Sequence, residues 1–408
     1  MPASRAQSLP TPPTAPPLKV GLGVSLSGAE AHNGQQILIA LQLWRDDVNA
    51  QGGLLGRQID LVAYDDQSNP AVVPRIYYKL AAEDKVDLLL GPYGSNTAAA
   101  AMRVVMNFNK LTIGILGIGV NRIFSYWRYF SMAPFGAEGI KALSKGFFDL
   151  ATAQIPRPKT AAILAGDATF TAALAASARD SAIEDDINVI YDERYAPTAD
   201  FTPIMRTLKQ ANADVVFLAA DEAHTAGMIR AAGEAALAPS VLGGAMAGLL
   251  DARRNAELGP SLDGIVAVQN FVPAPTLSFA GLGALMQRYR AAAEPQADPQ
   301  PDPLGYSYVP FGYAAGQVLA QAVKDTTSLD PDQLAAYMHS HRFATVVGEI
   351  AYDENGEWST PRPVFTQFQN VAEGDVGQFS DTKVQPIVWP PQYRTADVIY
   401  PYSAATKK

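Results

Sequence analysis

The stretch Val86-Asp87-Leu88-Leu89-Leu90-Gly91-Pro92-Tyr93-Gly94-Ser95-Asn96-Thr97 decides how this chain is read. Its short apolar run, closed by Gly-Pro, has the pattern of a buried strand. The following run Ala98–Met102 favours helix, and Ser95 is a suitable N-cap for it. A strand that passes into a helix through glycines leaves free backbone N–H groups around residues 95–97. Together with the positive end of the helix dipole, these suit a carboxylate or another polar ligand group. The plainer reading is that Ser95 only caps a helix, and spacing alone does not separate the two.

Working outward, the same alternation recurs on both sides. Residues 18–24 form a strand and Gly28–Gly34 a loop. From Gln35, the residues Ile37, Leu38, Leu41, Trp44 and Val48 follow helical spacing, and the glycines up to Gly56 end that helix. Residues 59–64 are the next strand, and Asp65–Pro70 is a loop and helix cap. A helix to about Asp84 leads into the quoted stretch, and 111–116 is a fourth buried strand. Strands alternating with helices make a parallel sheet. The pattern restarts after Ile140, with strands at 160–166, 188–191 and 214–219 and helices near 170–186, 201–211 and up to Ala236. The expected fold class is therefore α/β, as two Rossmann-like doubly wound lobes. Ligands of such sheets sit beyond the carboxyl ends of the strands, here in the cleft between the lobes. The tail departs from the alternation: a Pro/Asp/Gln-rich loop at Ala291–Pro303, a helix at Gly312–Asp325, and a hairpin signal at Asn355-Gly356 within 349–358. A later strand carries Phe365 and Phe368. The chain is expected to cross between lobes more than once.

Composition narrows the function classes. A chain of 408 residues is too long for one compact core, and 48% hydrophobic with 17% charged residues fits a globular interior. A net charge of −9, with no basic-aromatic patch, argues against a nucleic-acid partner. The absence of cysteine excludes disulfides, thiolate metal sites and cysteine nucleophiles. No apolar run approaches the ~20 residues of a membrane span. Residues 1–17, with six prolines, read as a flexible leader and not as an intact signal peptide. Extracytoplasmic and cytosolic locations both stay open at this point.

Taken in order, several pieces resemble the periplasmic type I solute-binding proteins of branched-chain amino-acid-type ABC importers. They are Gly52-Gly53-Leu54-Leu55-Gly56-Arg57, Tyr64-Asp65-Asp66-Gln67-Ser68-Asn69-Pro70, Gly91-Pro92-Tyr93-Gly94-Ser95, and Val347-Gly348 ahead of the Asn-Gly turn. Thr198–Pro203 and Leu242-Gly243-Gly244 also match, and the resemblance spans about residues 18–400. It implies a first lobe of 18–120 plus 272–342 and a second of 136–264 plus 346–400. A three-stranded hinge would join them near 117–135, 265–275 and 340–362, closing on the ligand. It further implies capture of a small solute, a permease partner in the membrane, a periplasmic location, a monomer and no cofactor. The anchor serine of the family corresponds to Ser95, flanked by Tyr93 and Asn96, with His32 at the cleft mouth. The next pocket loop usually holds Ser-Ala-Thr, but here it is Leu116-Gly117-Ile118-Gly119-Val120, without a hydroxyl. The aromatic wall corresponds to Phe170. The usual ammonium partners fall at Asp221 and at Ala245-Met246, of which only Asp221 carries charge. An apolar or aromatic carboxylate fits these departures better than a standard α-amino acid, with a branched-chain amino acid as the alternative.

Rival sites are weaker. Asp65-Asp66 reads as a strand-end turn that caps the next helix before it reads as an acid–base or metal pair. His339 and His341 have no nearby carboxylate for a metal site. Gly21-Leu22-Gly23 misses the dinucleotide spacing, and no nucleophile elbow is present. Tyr126-Trp127-Arg128-Tyr129-Phe130 falls at the first expected crossing and reads as hinge packing before ligand wall. The expectation is a non-enzymatic capture protein, with a cytosolic sensor of the same fold as the second reading and an enzyme using the cleft as the third.

Overall fold

The computed structural model describes residues 15–293 and 300–405; most of the expected leader and residues 294–299 of the expected 291–303 loop lie outside them. The first sheet holds β1 (Leu18–Val24), β2 (Ile59–Asp65), β3 (Leu88–Tyr93), β4 (Thr112–Ile115) and β5 (Tyr129–Ser131). Their order is β2-β1-β3-β4-β5, all parallel. The second sheet holds β6 (Thr160–Gly166), β7 (Asn188–Tyr195), β8 (Val215–Ala220), β9 (Val241–Met246) and β10 (Val266–Gln269). A separate hairpin of β11 (Arg342–Thr345) and β12 (Gly348–Ala351) follows. The second sheet is completed by β13 (Val364–Gln367) and β14 (Ile387–Trp389), in the order β14-β13-β10-β9-β8-β6-β7. Both late strands run antiparallel to their neighbours.

The apolar run of β3 is continuous because helices cover both faces of the sheet. Leu88 and Leu90 enter the core with Trp44 and Phe311, whereas Leu89 packs on the opposite face with Tyr77 and Val105. In the second lobe Val216 and Leu218 face one cluster, and Val215, Phe217 and Ala219 the other. Side-chain alternation along each strand thus feeds two helical layers per lobe.

The chain passes between the lobes three times: after β5 into the helix Gly139–Thr152, after β10 into the helix Leu282–Ala293, and from β12 to β13. Two boundaries differ from the expected ones. The expected first crossing began at 117, but β5 adds an edge strand to the first sheet, with Tyr129 and Phe130 buried. Of residues 346–351, expected in the second lobe, Gly348–Ala351 pair with β11, and Ile350 joins the first core together with Tyr352 and Trp358. The hairpin turns at Val346-Val347, not at Asn355-Gly356. Asn355-Gly356 instead forms a second turn, closed by a bridge between Tyr352 and Trp358. Gly356 has φ +71° there, and a Cβ on it would stand 2.0 Å from the Tyr129 carbonyl oxygen. Its own carbonyl accepts from Ser131 N at 2.8 Å, docking this third crossing on the β5 edge. Trp127, the expected hinge aromatic, stacks on His339.

Glu357, next to that turn, is 1% exposed and its Oε1 has no hydrogen-bond partner. Burial pushes its carboxyl up to about 8, against a weaker opposing effect of Ser131. The folded state therefore holds a proton that the unfolded chain has already lost, so stability falls as pH rises from about 4.5 towards 8. Glu357→Gln, neutral at every pH, should make that decline measurably shallower, above all between about pH 7 and about pH 8, in melts recorded from about pH 5 to about pH 9. Glu30 and Asp302, raised to about 7 and about 6, and Asp66 and Glu222, also raised by burial, add to the same decline. A variant whose melting point tracks the parent at every pH would show that Glu357 ionises freely in the fold.

Candidate functional site: the cleft between the lobes

In a doubly wound sheet the crossovers leave in opposite directions on either side of one strand pair, and the chain opens a crevice there. These pairs are β1/β3 in the first lobe and β6/β8 in the second. The crevice of the first lobe is lined by the turn after Val24 and the turn after Tyr93. That of the second is lined by the turns after Gly166 and Ala220.

The β1 turn is held from two sides. Gly34 lies inside the helix Ala31–Ala50, so the expected Gly28–Gly34 loop is shorter than its glycines implied. A Cβ at Gly34 would stand 1.8 Å from the Ser25 carbonyl oxygen, so only glycine lets this helix start against β1. Asp65 Oδ1 accepts from Leu26 N at 2.9 Å and Ser27 N at 3.2 Å, and Asp66 Oδ1 accepts from Ser25 Oγ at 2.6 Å and Ser68 N at 3.0 Å. Asp65-Asp66 therefore ties the β1 and β2 turns together; it does not cap the following helix, whose N-cap Val72 receives no side-chain bond. Ser68 Oγ accepts from Glu30 N at 3.0 Å, which fixes the last residue before the helix.

After β3, the N-cap of the helix Ser95–Asn107 is Gly94 and not Ser95. Gly94 takes φ 83°, ψ 160°, a backbone region closed to side-chain-bearing residues, and Ser95 is thereby carried into the first turn. Ser95 Oγ then accepts from Ile118 N at 3.0 Å, joining the β3 and β4 turns. Asn96 is exposed, and Tyr93 is partly buried at the strand end. Gly117 accepts from Ser131 Oγ at 3.2 Å, and Gly119, at φ 70°, starts the short helix Val120–Phe124.

His32 is 7% exposed, buried in the first turn of the helix Ala31–Ala50. Its Nε2 lies 3.3 Å from Glu222 Oε2 and 3.5 Å from Asp251 Oδ2, both of the second lobe. Asn33 Nδ2 donates to Glu222 Oε1 and, at 3.4 Å, to the Tyr93 hydroxyl. Tyr93 Oη donates in turn to Tyr308 Oη at 3.2 Å. Arg254 Nη1 completes the group at 3.2 Å from Glu222 Oε2. This clasp is a polar contact between the two lobes at the cleft. Burial raises the Glu222 carboxyl, with His32, Arg254 and Asn33 pulling the other way. Glu30 is raised to about 7, by burial first and then by Asp66 and Asp221.

On the second lobe, Asp221 caps the helix Glu222–Glu234, accepting from His224 N at 3.0 Å, and keeps its carboxylate half exposed towards the cleft. Phe170 and Ile118, from opposite lobes, pack against one second-lobe cluster. Ala245 belongs to that cluster too, but Met246 points to the other face of β9 and packs in the second core. His339 binds the backbone carbonyls of Asp353 and Trp127. Among the described residues no group of three or more His, Asp or Glu side chains is arranged to hold a metal ion. Glu30, Glu222 and Asp251 were not singled out from sequence. The first two stand beside residues that were, in the β1 turn and directly after Asp221, whereas Asp251 carries no local signal.

The sequence profile of the periplasmic binding protein family matches residues 17–367. Among curated proteins, a Leu/Ile/Val-binding protein homolog of Brucella suis is 26% identical over 360 residues, covering 87% of this chain and 91% of the relative. The Leu/Ile/Val-binding protein of Escherichia coli is 22% identical and covers 83% and 88%. The fold is also that of an R. palustris ABC transporter solute-binding protein in complex with benzoate. That match has a TM-score of 0.71 at 23% identity and covers 87% and 94% of the two chains. LivJ of Streptococcus pneumoniae, in complex with isoleucine, gives a TM-score of 0.72 at 18% identity over 94% and 100%. With two doubly wound lobes, three crossings and a profile match over most of its length, the chain belongs to the periplasmic binding protein family, as a type I solute-binding protein of the branched-chain amino acid ABC importer type.

Proposed function

We propose that this protein captures a small organic solute in the interlobe cleft outside the cytoplasm, closes on it about the three crossings, and presents it to an ABC permease without chemically changing it. The carrying observation is that the two switch points face each other and are joined by the clasp of His32 and Asn33 with Glu222 and Asp251. The ligand's body lies between Ile118 and Phe170, and its polar head at the N-terminus of the helix Ser95–Asn107. An apolar or aromatic carboxylate suits that arrangement best, since the β4 turn offers no side-chain hydroxyl and Ala245 offers no charge. The benzoate-bound fold relative agrees with this choice and the isoleucine-bound one keeps leucine-like ligands as the alternative. In this reading Met246 supports the floor of the site from the core, and Ser95, Asp221, Phe170 and Ile118 face the ligand.

A thermal-shift panel of aromatic acids, branched-chain amino acids, dicarboxylates and amides tests the ligand class. A ligand at ~100 times its Kd adds about 2.7 kcal/mol of stability, a visible rise in melting point. Aromatic or other apolar carboxylates are expected to outrank leucine and valine; stabilisation by leucine alone would reverse that assignment.

Ser95→Ala removes the acceptor for Ile118 N and a hydroxyl at the head position, while the helix N-cap, which is Gly94, is untouched. Affinity for the best panel ligand should fall roughly ten- to a hundred-fold, the equivalent of one hydrogen bond to a charged group. Calorimetric titration of the folded variant reads this directly, and an unchanged Kd would remove Ser95 from the site.

Glu222→Ala deletes the second-lobe anchor of the clasp. Small-angle scattering of the free variant should give a larger radius of gyration than the parent, and saturating ligand should bring the two closer together. Equal radii for free variant and free parent would mean that the crossings alone, and not the clasp, set the lobe angle.

A further inference from the structure

The part of the cleft beside the Ser95 helix is rich in hydrogen-bond acceptors and short of protons. The carboxyl of Glu30 reaches the turn after β3, where a Cβ on Gly94 would stand 3.9 Å from its Oε2. Asp66 Oδ2, in a residue that is 0% exposed, has no hydrogen-bond partner, and neither has Oδ1 of the equally buried Asn33. The charged groups acting on Glu30 are both acidic, Asp66 from the β2 turn and Asp221 from the opposite lobe. Glu30 acts in turn on Tyr93, Tyr308 and Glu222. Arg254, the arginine of the clasp, is already engaged with Glu222, and the His32 imidazole lies between Glu222 and Asp251. A carboxylate head placed at residues 95–97 would add one more negative charge beside Glu30, on which, among the described residues, the charged groups that act are acidic. Two carboxylates at close range share a proton more readily than both ionise.

We infer that Glu30 determines head-group specificity by taking up one proton from solvent as the ligand's carboxylate docks, and by donating the resulting O–H to the ligand. This rests on the carboxylate reading above. Capture of an anion is then neutral overall, one negative charge entering with one proton. Glu30 near 7 in the free protein places the effect in an accessible range. Below that pH the proton is already in place and affinity is level. Above it the proton must be drawn from solvent, and affinity falls about tenfold for each further pH unit, the slope of a one-proton linkage.

The probe is benzoate, which is ionised throughout the range used. Calorimetric titrations from about pH 5.5 to about pH 8.5, in buffers of different ionisation heat, give both the Kd profile and the number of protons taken up. The expected result is a level Kd at the acid end, the tenfold-per-unit weakening above about pH 7, and uptake approaching one proton. Glu30→Gln keeps the shape of the protonated acid, so it should bind benzoate with no pH slope, no proton uptake and an affinity near the acid-limb value of the parent. Glu357→Gln, at the third crossing beside Ser131, should keep the full slope. If benzoate binds the parent with a flat profile and no proton uptake, the carboxylate reading stands and the role of Glu30 falls. The role falls likewise if Glu30→Gln keeps the slope. If phenylethylamine binds more tightly than benzoate and loses that affinity in Glu30→Gln, Glu30 serves a cation, and the inference is overturned together with the carboxylate reading. If no carboxylate of the panel binds at any pH while an amide does, the carboxylate reading fails and this inference with it.

Discussion

A parallel sheet cannot be built from hairpins, and most of this molecule follows from that constraint. Each parallel strand must be reached by a crossover, and the crossovers must reverse direction somewhere. In each lobe they reverse beside the first strand of its alternation, β1 in one and β6 in the other. The turns at those two points therefore lack strand partners and carry the polar groups of the cleft. Everything placed there is held by turn chemistry: Asp65 and Asp66 on the β1 turn, Gly94 at the helix entry, Asp221 at the start of its helix.

The electrostatics of the cleft follow from bringing two such turns together. Each lobe alone could leave its carboxylates in water. Against each other they are partly desolvated, and each must find a cation, a hydrogen-bond donor or a proton. Glu222 finds Asn33, Arg254 and His32; Asp251 caps its own helix through Arg253 N and Arg254 N while facing His32. Among the described residues no cation or donor offsets the burial of Glu30, and burial, then Asp66 and Asp221, raise its carboxyl. Burial acts the same way on Glu357 at the third crossing, so one acid sits near the turn after β3 and another at the third crossing, both raised.

Much of this fold is legible in the chain itself. The continuous apolar runs at 88–90 and 215–219 could only be strands covered on both faces, and their spacing with helices implied two wound lobes. Asn355-Gly356 was legible as a turn but not as the wrong hairpin, because the partner of Glu349–Ala351 lies upstream at Arg342–Thr345. The extra edge strand β5 was missed since three residues give no period to read.

The cleft divides in the same way. The sequence by itself determined the turns that line it, because glycine, serine and aspartate after an apolar strand specify local backbone geometry without help from distant residues. It also determined which positions lack a hydroxyl or a charge, namely the β4 turn and Ala245-Met246. Only the tertiary structure decided that His32 meets Glu222, 190 positions downstream, that Asp251 joins them, and that Met246 faces inward while Ala245 does not. The reason is physical. A turn is fixed by dihedral angles of a few consecutive residues, whereas the environment of a buried charge is fixed by whatever the crossings bring across the cleft to face it.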